Sequence, residues 1–144
     1  MNTELLTHLL QAAAVGQALI SLLNLAIPGI LRWGPDLERL PLLLREVFHV
    51  HKWFVTITLV IFATLTWRFA GLMAGPHDAG EASLAGWLAA GIGGFWLIRW
   101  VMQWTYYSWS HWRGLPGRIV VHLILTLAYG GCAATYLVAA FRHL

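Results

Sequence analysis

Four groups of polar and aromatic side chains recur at helical spacing inside long apolar stretches of this 144-residue chain. The four groups are Gln17 and Asn24; Glu46, His49, Trp53 and Thr56; Trp96, Arg99, Gln103 and Tyr106; and His122, Thr126 and Tyr129. Residues three, four or seven apart share one face of a helix. Polar groups are costly in apolar surroundings and turn toward one another. We therefore expect these faces to meet in one polar cluster.

His49 and His122 suit metal or cofactor binding best. Two neutral imidazoles at one depth, from different helices, can ligate a haem iron or a single metal ion. Glu46-x-x-His49 also has the spacing of a di-iron ligand pair, but such a site needs a second pair and further carboxylates. Glu46, His49 and His122 are thus the candidate metal ligands. The competing interpretation is that each histidine meets only headgroups, water or a neighbouring carbonyl.

Arg99, Gln103 and Tyr106 extend this candidate site. An inward Arg99 can bond Glu46, or hold an anionic or carbonyl-bearing ligand together with Gln103 and Tyr106. The alternative is an Arg99 whose head extends outward from the apolar layer. The inward arrangement is favoured, because Gln103 on the same face would otherwise point at lipid. The candidate cofactor-binding residues are His49, His122, Arg99, Gln103 and Tyr106.

The composition indicates that lipid surrounds the elements that carry these residues. Hydrophobic residues make up 59% of the chain and charged residues 10%, whereas a soluble domain carries about a quarter charged residues. Four apolar stretches cover about 5–31, 46–73, 84–106 and 118–141. Each reaches the ~20 residues that a helix needs to span ~30 Å of hydrocarbon, without the alternation of barrel strands. The sequence predicts an all-α membrane protein, a four-helix transmembrane bundle forming one domain over 1–144.

Proline and glycine mark the predicted helix ends. Pro28-Gly29 closes the first helix, Gly34-Pro35 opens a short connector, and Pro41 suits the first turn of the second helix. Gly75-Pro76 ends that helix, and residues 78–81 form a polar turn. Small residues recur every four positions at Ala82, Gly86, Ala90 and Gly94, and at Gly131, Thr135 and Ala139. Such stripes let helix backbones approach closely.

Lysine and arginine are distributed unevenly between the helix ends. The first and third loops and their flanks contain Arg32, Arg39, Arg45, Lys52, Arg113 and Arg118, whereas the other side contains Arg68 and Arg142. Because positive residues stay in the cytoplasm, this pattern predicts cytoplasmic first and third loops and two periplasmic termini. The second and fourth helices then start from the cytoplasmic side, which brings His49 and His122 to one depth.

Several function classes are excluded or lack support. The net charge of +3 is small and its basic residues are scattered, so we expect no nucleic-acid partner. Cys132 is the single cysteine, which excludes an intramolecular disulfide and a CxxC pair. The sequence contains no nucleophile motif, phosphate-binding loop or zinc-protease signature. Whether the protein is an enzyme stays open.

The run Phe95-Trp96-x-x-Arg99-x-x-x-Gln103-x-x-Tyr106, followed by Arg118 and His122, resembles a group of small bacterial four-helix inner-membrane proteins. The segment 45–53 is similar in kind to the matching region, and the resemblance covers most of the chain. It implies a bacterial inner-membrane protein and no particular reaction, because the group has no assigned activity. Haem-binding four-span enzymes of porphyrin oxidation share the size and an early-helix histidine, but their other features are not matched.

Three functions follow as hypotheses. The first is a structural or accessory subunit of a larger membrane complex or homo-oligomer, favoured by the small size and the lack of a catalytic signature. The second is a redox or ligand-binding protein that holds haem, a metal ion or a quinone-like molecule at the cytoplasmic-side cluster. The third, a small transporter, has the least support, because inverted repeats are absent. The first ranks slightly above the second.

Overall fold

A computed structural model describes residues 1–75, 78–106 and 116–143, except for the side chains of Ala79, Pro116 and Arg118. This part of the chain contains no strand and five helices: α1 (Thr3–Ile30), α2 (Gly34–Glu38), α3 (Leu42–Ala74), α4 (Ala79–Thr105) and α5 (Pro116–Phe141). The helices α1, α3, α4 and α5 are long and apolar enough to cross a membrane. The prediction of an all-α, multi-pass membrane protein is confirmed, while Arg113 lies outside the described residues.

All four spanning helices begin earlier than the predicted spans, most of all α3, at Leu42 rather than at 46, and α4, at Ala79 rather than at 84. The predicted start of α4 followed its apolar residues, whereas the helix also includes a polar first turn. Glu81 lies in the first turn of α4, where a carboxylate interacts favourably with the helix dipole. The expected polar turn is therefore wrong beyond Asp78, which directly precedes α4.

The connector after α1 is ordered by backbone hydrogen bonds. Arg32 adopts a left-handed conformation with φ of 54°. The Trp33 amide donates to the Pro28 carbonyl at 2.9 Å, and the Arg32 amide donates to the Gly29 carbonyl at 3.2 Å. These two bonds form a Schellman motif, which satisfies carbonyls that the helix end leaves open. The predicted connector then contains the short helix α2.

The described helices belong to two compact units. We call Met1–Ala13 with Phe69–Leu144 the terminal unit, and Ala14–Arg68 the middle unit. The boundary at Phe69 coincides with a non-helical residue inside α3, whose φ is −114° and ψ is 16°. The single domain over 1–144 stays a prediction.

In the middle unit, buried polar side chains join α1 to α3. The Asn24 side-chain amide donates to the Thr56 hydroxyl at 2.8 Å and to the Lys52 carbonyl at 3.0 Å. The Thr56 hydroxyl donates to the same carbonyl at 2.9 Å. These bonds satisfy an amide that would be costly to leave unpaired in apolar surroundings. The polar faces predicted for the first and second spans therefore meet at Asn24 and Thr56.

The core of the terminal unit is the antiparallel pair α4–α5. The Trp96 ring stacks on Tyr129 with centroids 5.4 Å apart. About two turns further along α4, Gln103 bonds His122, which comes earlier on α5. Because positions rise on one helix while they fall on the other, the helices run in opposite directions. This register places the polar face of α4 against the polar face of α5.

Glycines permit the close approach of α4 and α5. A Cβ atom at Gly93 would lie 3.1 Å from the Tyr136 Cβ, and one at Gly130 would lie 2.9 Å from the Trp100 Nε1. In the predicted small-residue stripes Gly86 makes a comparable approach, whereas Gly94 and Gly131 have no such atom within 4 Å. Gly93 and Gly130, which permit the short distance between α4 and α5, therefore directly precede Gly94 and Gly131 of the predicted stripes.

The last residues of the described chain close the other end of the terminal unit. The Arg142 guanidinium donates to the Ala74 carbonyl at 2.9 Å and also to the Met1 carbonyl. His143 Nε2 lies 2.9 Å from the Met73 carbonyl, to which it donates. The final carbonyls of a helix lack partners within that helix. Arg142 and His143 thus cap the end of α3.

Candidate functional site

Arg99, Gln103 and His122 form a chain of hydrogen bonds in the terminal unit, which we call the α4–α5 polar cluster. Arg99 Nη1 donates to Gln103 Oε1 at 3.0 Å. Gln103 Nε2 lies 2.8 Å from His122 Nδ1. Gln103 is 3% exposed and His122 5% exposed. A half-buried cation is therefore held together with a buried amide and a buried imidazole.

The local sequence explains how these side chains meet. Arg99 and Gln103 are four residues apart on α4, so they lie on one face and can bond to each other. His122 lies on the second turn of α5, opposite the last turn of α4. The antiparallel register then supplies the contact between the helices. Arg99 is turned toward its polar neighbours, which is the inward arrangement favoured by the sequence.

The direction of these hydrogen bonds fixes the protonation of His122. A guanidinium only donates, so the amide atom facing Arg99 must be the Gln103 oxygen. The amide nitrogen of Gln103 then donates to His122 Nδ1, which must accept with its lone pair. His122 is therefore a neutral imidazole whose proton lies on Nε2. In this arrangement His122 presents an N–H donor rather than a free lone pair.

Aromatic rings surround the α4–α5 polar cluster. The Arg99 guanidinium lies 4.6 Å from the centre of the Tyr129 ring, within the range of a cation–π interaction. Tyr129 in turn stacks on Trp96, which is 1% exposed. The Trp104 ring meets His122 edge-on, with centroids 5.9 Å apart. Aromatic rings therefore contact both the Arg99 guanidinium and the His122 imidazole.

The Thr126 hydroxyl adds a further polar group on the same face of α5. Thr126 follows His122 by four residues and is 6% exposed. Among the described residues, its side-chain oxygen is buried without a hydrogen-bond partner. Buried hydroxyls in native proteins nearly always have partners, so an orphan of this kind calls for an explanation.

The other candidate residues lie on exposed surface. Tyr106 follows the end of α4 and is 80% exposed. Glu46 and His49 are exposed on the first part of α3, and so is His51. The His49 ring makes an edge contact with Phe48, with centroids 5.8 Å apart. Arg99, Gln103 and His122 are thus the candidates that the structure brings together.

Metal ligation is not decided by this geometry. Within the described ranges, no group of three or more His, Cys, Asp or Glu side chains is placed to hold a metal ion. His49 belongs to the middle unit and His122 to the terminal unit. Ligation of haem or a metal ion by these two residues, with or without Glu46, stays a prediction.

Three further residues of the site, Trp96, Thr126 and Tyr129, lie on the polar faces that the sequence predicts would meet, although it did not name them as binding residues. Trp104 is the exception: it follows Gln103 directly on α4, and its contact with His122 depends on the register between the two helices.

Comparisons with protein-family models, with curated proteins and with solved structures found no match to this chain. The resemblance to small four-helix bacterial inner-membrane proteins therefore stays a prediction.

Proposed function

We propose that this chain is a ligand-binding membrane protein that holds a lipid-soluble molecule with carbonyl or anionic oxygens, a quinone-like compound, at the α4–α5 polar cluster. The observation that carries this proposal is the buried Gln103 amide, which bridges Arg99 and His122. It orients a cation and a neutral imidazole in one place.

A purely structural role explains this cluster less well. Buried ionic and polar networks are seldom more stable than well-packed apolar residues of similar volume. Ionisable residues within membrane spans commonly mark ligand or ion sites. The half-buried Arg99 and the buried His122 lie in the parts of α4 and α5 that are apolar enough to span a membrane. Binding of a ligand would account for the presence of these costly polar groups within the spans.

The hydrogen-bond directions favour an oxygen ligand over haem or a metal ion. A metal-binding histidine offers one ring nitrogen as a lone pair and donates from the other. His122 is arranged differently, because the Gln103 amide already occupies the Nδ1 lone pair. Its Nε2–H and the Arg99 guanidinium are both donors, which suits a carbonyl or an anionic oxygen. The flat rings of Trp96, Tyr129 and Trp104 suit a planar molecule that dissolves in lipid.

Binding of a short-tailed quinone tests this proposal. Decylubiquinone added to the detergent-purified protein should quench tryptophan fluorescence, because Trp96 and Trp104 line the cluster. Gln103→Leu and His122→Leu should each weaken binding by about tenfold or more, since a buried hydrogen bond to a polar ligand contributes on the order of 1.4 kcal/mol. Gln11→Leu removes an amide of the same size from α1 and should leave the affinity unchanged.

The alternative outcomes are equally measurable. Unchanged quinone affinity in both cluster variants would contradict the proposal. The haem or metal form is tested by an absorption spectrum and metal analysis of the purified protein. A stoichiometric metal that is lost in both His49→Ala and His122→Ala would favour joint ligation by those residues instead.

Location and orientation form part of the same proposal. The membrane is a bacterial inner membrane, as the resemblance implies, and the excess of lysine and arginine in the first and third loops and their flanks supports an orientation with both termini in the periplasm. In this orientation Gln103 and His122 lie in the cytoplasmic half of the membrane, because α4 ends and α5 begins on that side. The ligand would then be bound near the cytoplasmic surface.

A second candidate function is an accessory subunit that docks through the first part of α3. Its 33 residues extend about 50 Å, which exceeds the ~30 Å of hydrocarbon. Near its start, Glu46, Val47, Val50, His51 and Phe54 line a groove of about 330 Å³. This lining is almost entirely apolar, which suits an apolar face of a protein partner at the membrane surface.

Co-purification tests the accessory role. A partner extracted in stoichiometric amount from native membranes should be lost in Val50→Trp, which fills the groove. Val60→Trp changes an exposed residue of α3 outside the groove and should retain the partner. A partner that is retained by both variants would argue against docking at this groove.

A further inference from the structure

An apolar groove lies beside the α4–α5 polar cluster in the terminal unit. It has a volume of about 230 Å³ and is lined by Leu97, Trp100, Gly130, Ala133, Ala134 and Leu137. Three of these residues are glycine or alanine, so one side of the groove lies close to the backbone of α5. The lining offers hydrocarbon and the face of an indole ring.

Two ring contacts link the groove to the polar cluster. Trp100, which lines the groove, meets Trp104 with ring centroids 6.3 Å apart. Trp104 meets His122 with ring centroids 5.9 Å apart. On α5 the cluster and the groove lie along one face of the helix. This face carries residues spaced by four, namely His122, Thr126, Gly130 and Ala134. That face changes from polar residues at the cluster to small residues in the groove.

Thr126 lies at the junction between the two regions. Its hydroxyl is buried and has no hydrogen-bond partner among the described residues. Four residues on one side of it is His122, and four residues on the other side is Gly130. A buried hydroxyl without a partner loses free energy, which an oxygen of a ligand at this junction would restore. This observation is independent of the hydrogen bonds within the cluster.

We infer that the ligand is an amphiphile, whose oxygen-bearing head lies at the α4–α5 polar cluster and whose hydrocarbon tail lies in this groove. The Thr126 hydroxyl then donates to an oxygen of the head. The inference rests on the proposed function, because it requires the head to bind at the cluster. A cavity of about 150 Å³ holds a benzene-sized guest, so the groove accommodates a tail segment of more than six carbons.

The groove stabilises the bound tail by packing against it, not by removing it from water. A lipid-soluble tail is already in apolar surroundings, so it gains only close contact on entering the groove. We therefore expect the tail to change the affinity by severalfold, not by orders of magnitude. Overfilling the groove should remove this gain, because a packed apolar space resists additional side-chain volume.

The experiment compares two probes: decylubiquinone and the same ring with a methyl group in place of the decyl tail. Ala134→Phe places a ring in the groove and should lower the affinity for the decyl probe about fivefold or more, while the affinity for the methyl probe stays within twofold. Gly131→Phe adds the same ring to an exposed position of α5 with open space around it. This control should leave both affinities unchanged.

Thr126→Val removes the orphan hydroxyl and retains the side-chain shape. It should weaken both probes about fivefold, as the loss of one hydrogen bond predicts, without lowering the midpoint of thermal unfolding. A lower midpoint with unchanged binding would overturn the role of Thr126.

The outcomes separate this inference from the proposed function. If Gln103→Leu weakens both probes while Ala134→Phe changes neither, the proposed site stands and the tail inference is wrong. If Gln103→Leu changes neither probe, both are wrong.

A bilayer lipid is the other source of a hydrocarbon chain in the groove. A decyl probe with a diazirine on its tail should label residues 130–137, and excess unlabelled decylubiquinone should compete with it. Labelling of the same residues by a diazirine phospholipid, unaffected by the quinone, would overturn the inference.

Discussion

Gln103 can join Arg99 to His122 because its amide carries both an acceptor and donors. A guanidinium offers only donors, so it would repel a protonated Nδ1 if the two met directly. The Gln103 amide lies between them: its oxygen accepts the hydrogen bond from Arg99, and its nitrogen donates a hydrogen bond to His122. One neutral side chain thereby determines which nitrogen of the imidazole is protonated.

The protonation of His122 is directly measurable. In the wild type, ¹⁵N NMR should show His122 as the neutral form with the proton on Nε2. Gln103→Glu replaces the amide with a carboxylate that only accepts, so the proton should be found on Nδ1. Gln103→Glu should leave the other six histidines of the chain unchanged. Assignment comes from the signal that disappears in His122→Ala. A proton on Nδ1 in the wild type would contradict the bond directions and the argument for an oxygen ligand.

The side chains of the cluster meet because α4 and α5 lie close together, and glycines permit this short distance between the two helices. Gly93 and Gly130 are the positions where a side chain would meet Tyr136 and Trp100. At the other end of the terminal unit, residues beyond α5 cap the carbonyls of α3. The cluster therefore depends on helix contacts that are distant from it in the sequence.

The close approach of α4 and α5 can be tested at Gly93. Gly93→Val should destabilise the protein by about 1–3 kcal/mol, because the added carbons would overlap Tyr136. Gly91→Val is two residues away, where the structure has open space. It should be neutral or slightly stabilising, because valine is a better helix former than glycine. Thermal unfolding in detergent gives both values, and equal midpoints would argue against this packing.

The cap on α3 can be tested at Arg142. Arg142→Ala should cost about 1–3 kcal/mol, because it leaves the Ala74 and Met1 carbonyls without their charged donor. Arg142→Lys should restore part of this loss, since one ammonium replaces the two-pronged guanidinium less well. Arg39 is a suitable control, because its side chain is 82% exposed and 3.8 Å from Asp36. Arg39→Ala should change the unfolding midpoint little, as expected for a surface ion pair.

The preference of the chain for lipid determines which side chains its helices expose. With 10% charged residues, it cannot cover a water-exposed surface, and the exposed sides of its spanning helices consist largely of leucine, isoleucine and valine. Most of its few positive charges lie in the first and third loops and in the helix ends that flank them, and this asymmetry predicts the orientation.

Labelling of single cysteines tests the orientation. In a Cys132→Ala background, Asp36→Cys should resist a membrane-impermeant maleimide added to whole cells and react only after the membrane is opened. Asp78→Cys should react in whole cells from the periplasmic side. Both positions are exposed, so accessibility does not depend on burial. The reverse pattern would show that the polar cluster faces the periplasm.

The sequence alone predicted the number and type of the spanning helices, and it identified the faces that carry Arg99, Gln103 and His122. Both results are local: preference for lipid sums over neighbouring residues, and helical periodicity relates residues within one turn or two. Only the tertiary structure showed that Gln103 bonds His122, that the Thr126 hydroxyl is buried without a hydrogen-bond partner among the described residues, and that Arg142 caps α3. These contacts depend on the register of α4 against α5 and on residues far apart in the chain. That register follows from the packing of side chains around Gly93 and Gly130, which no local pattern encodes.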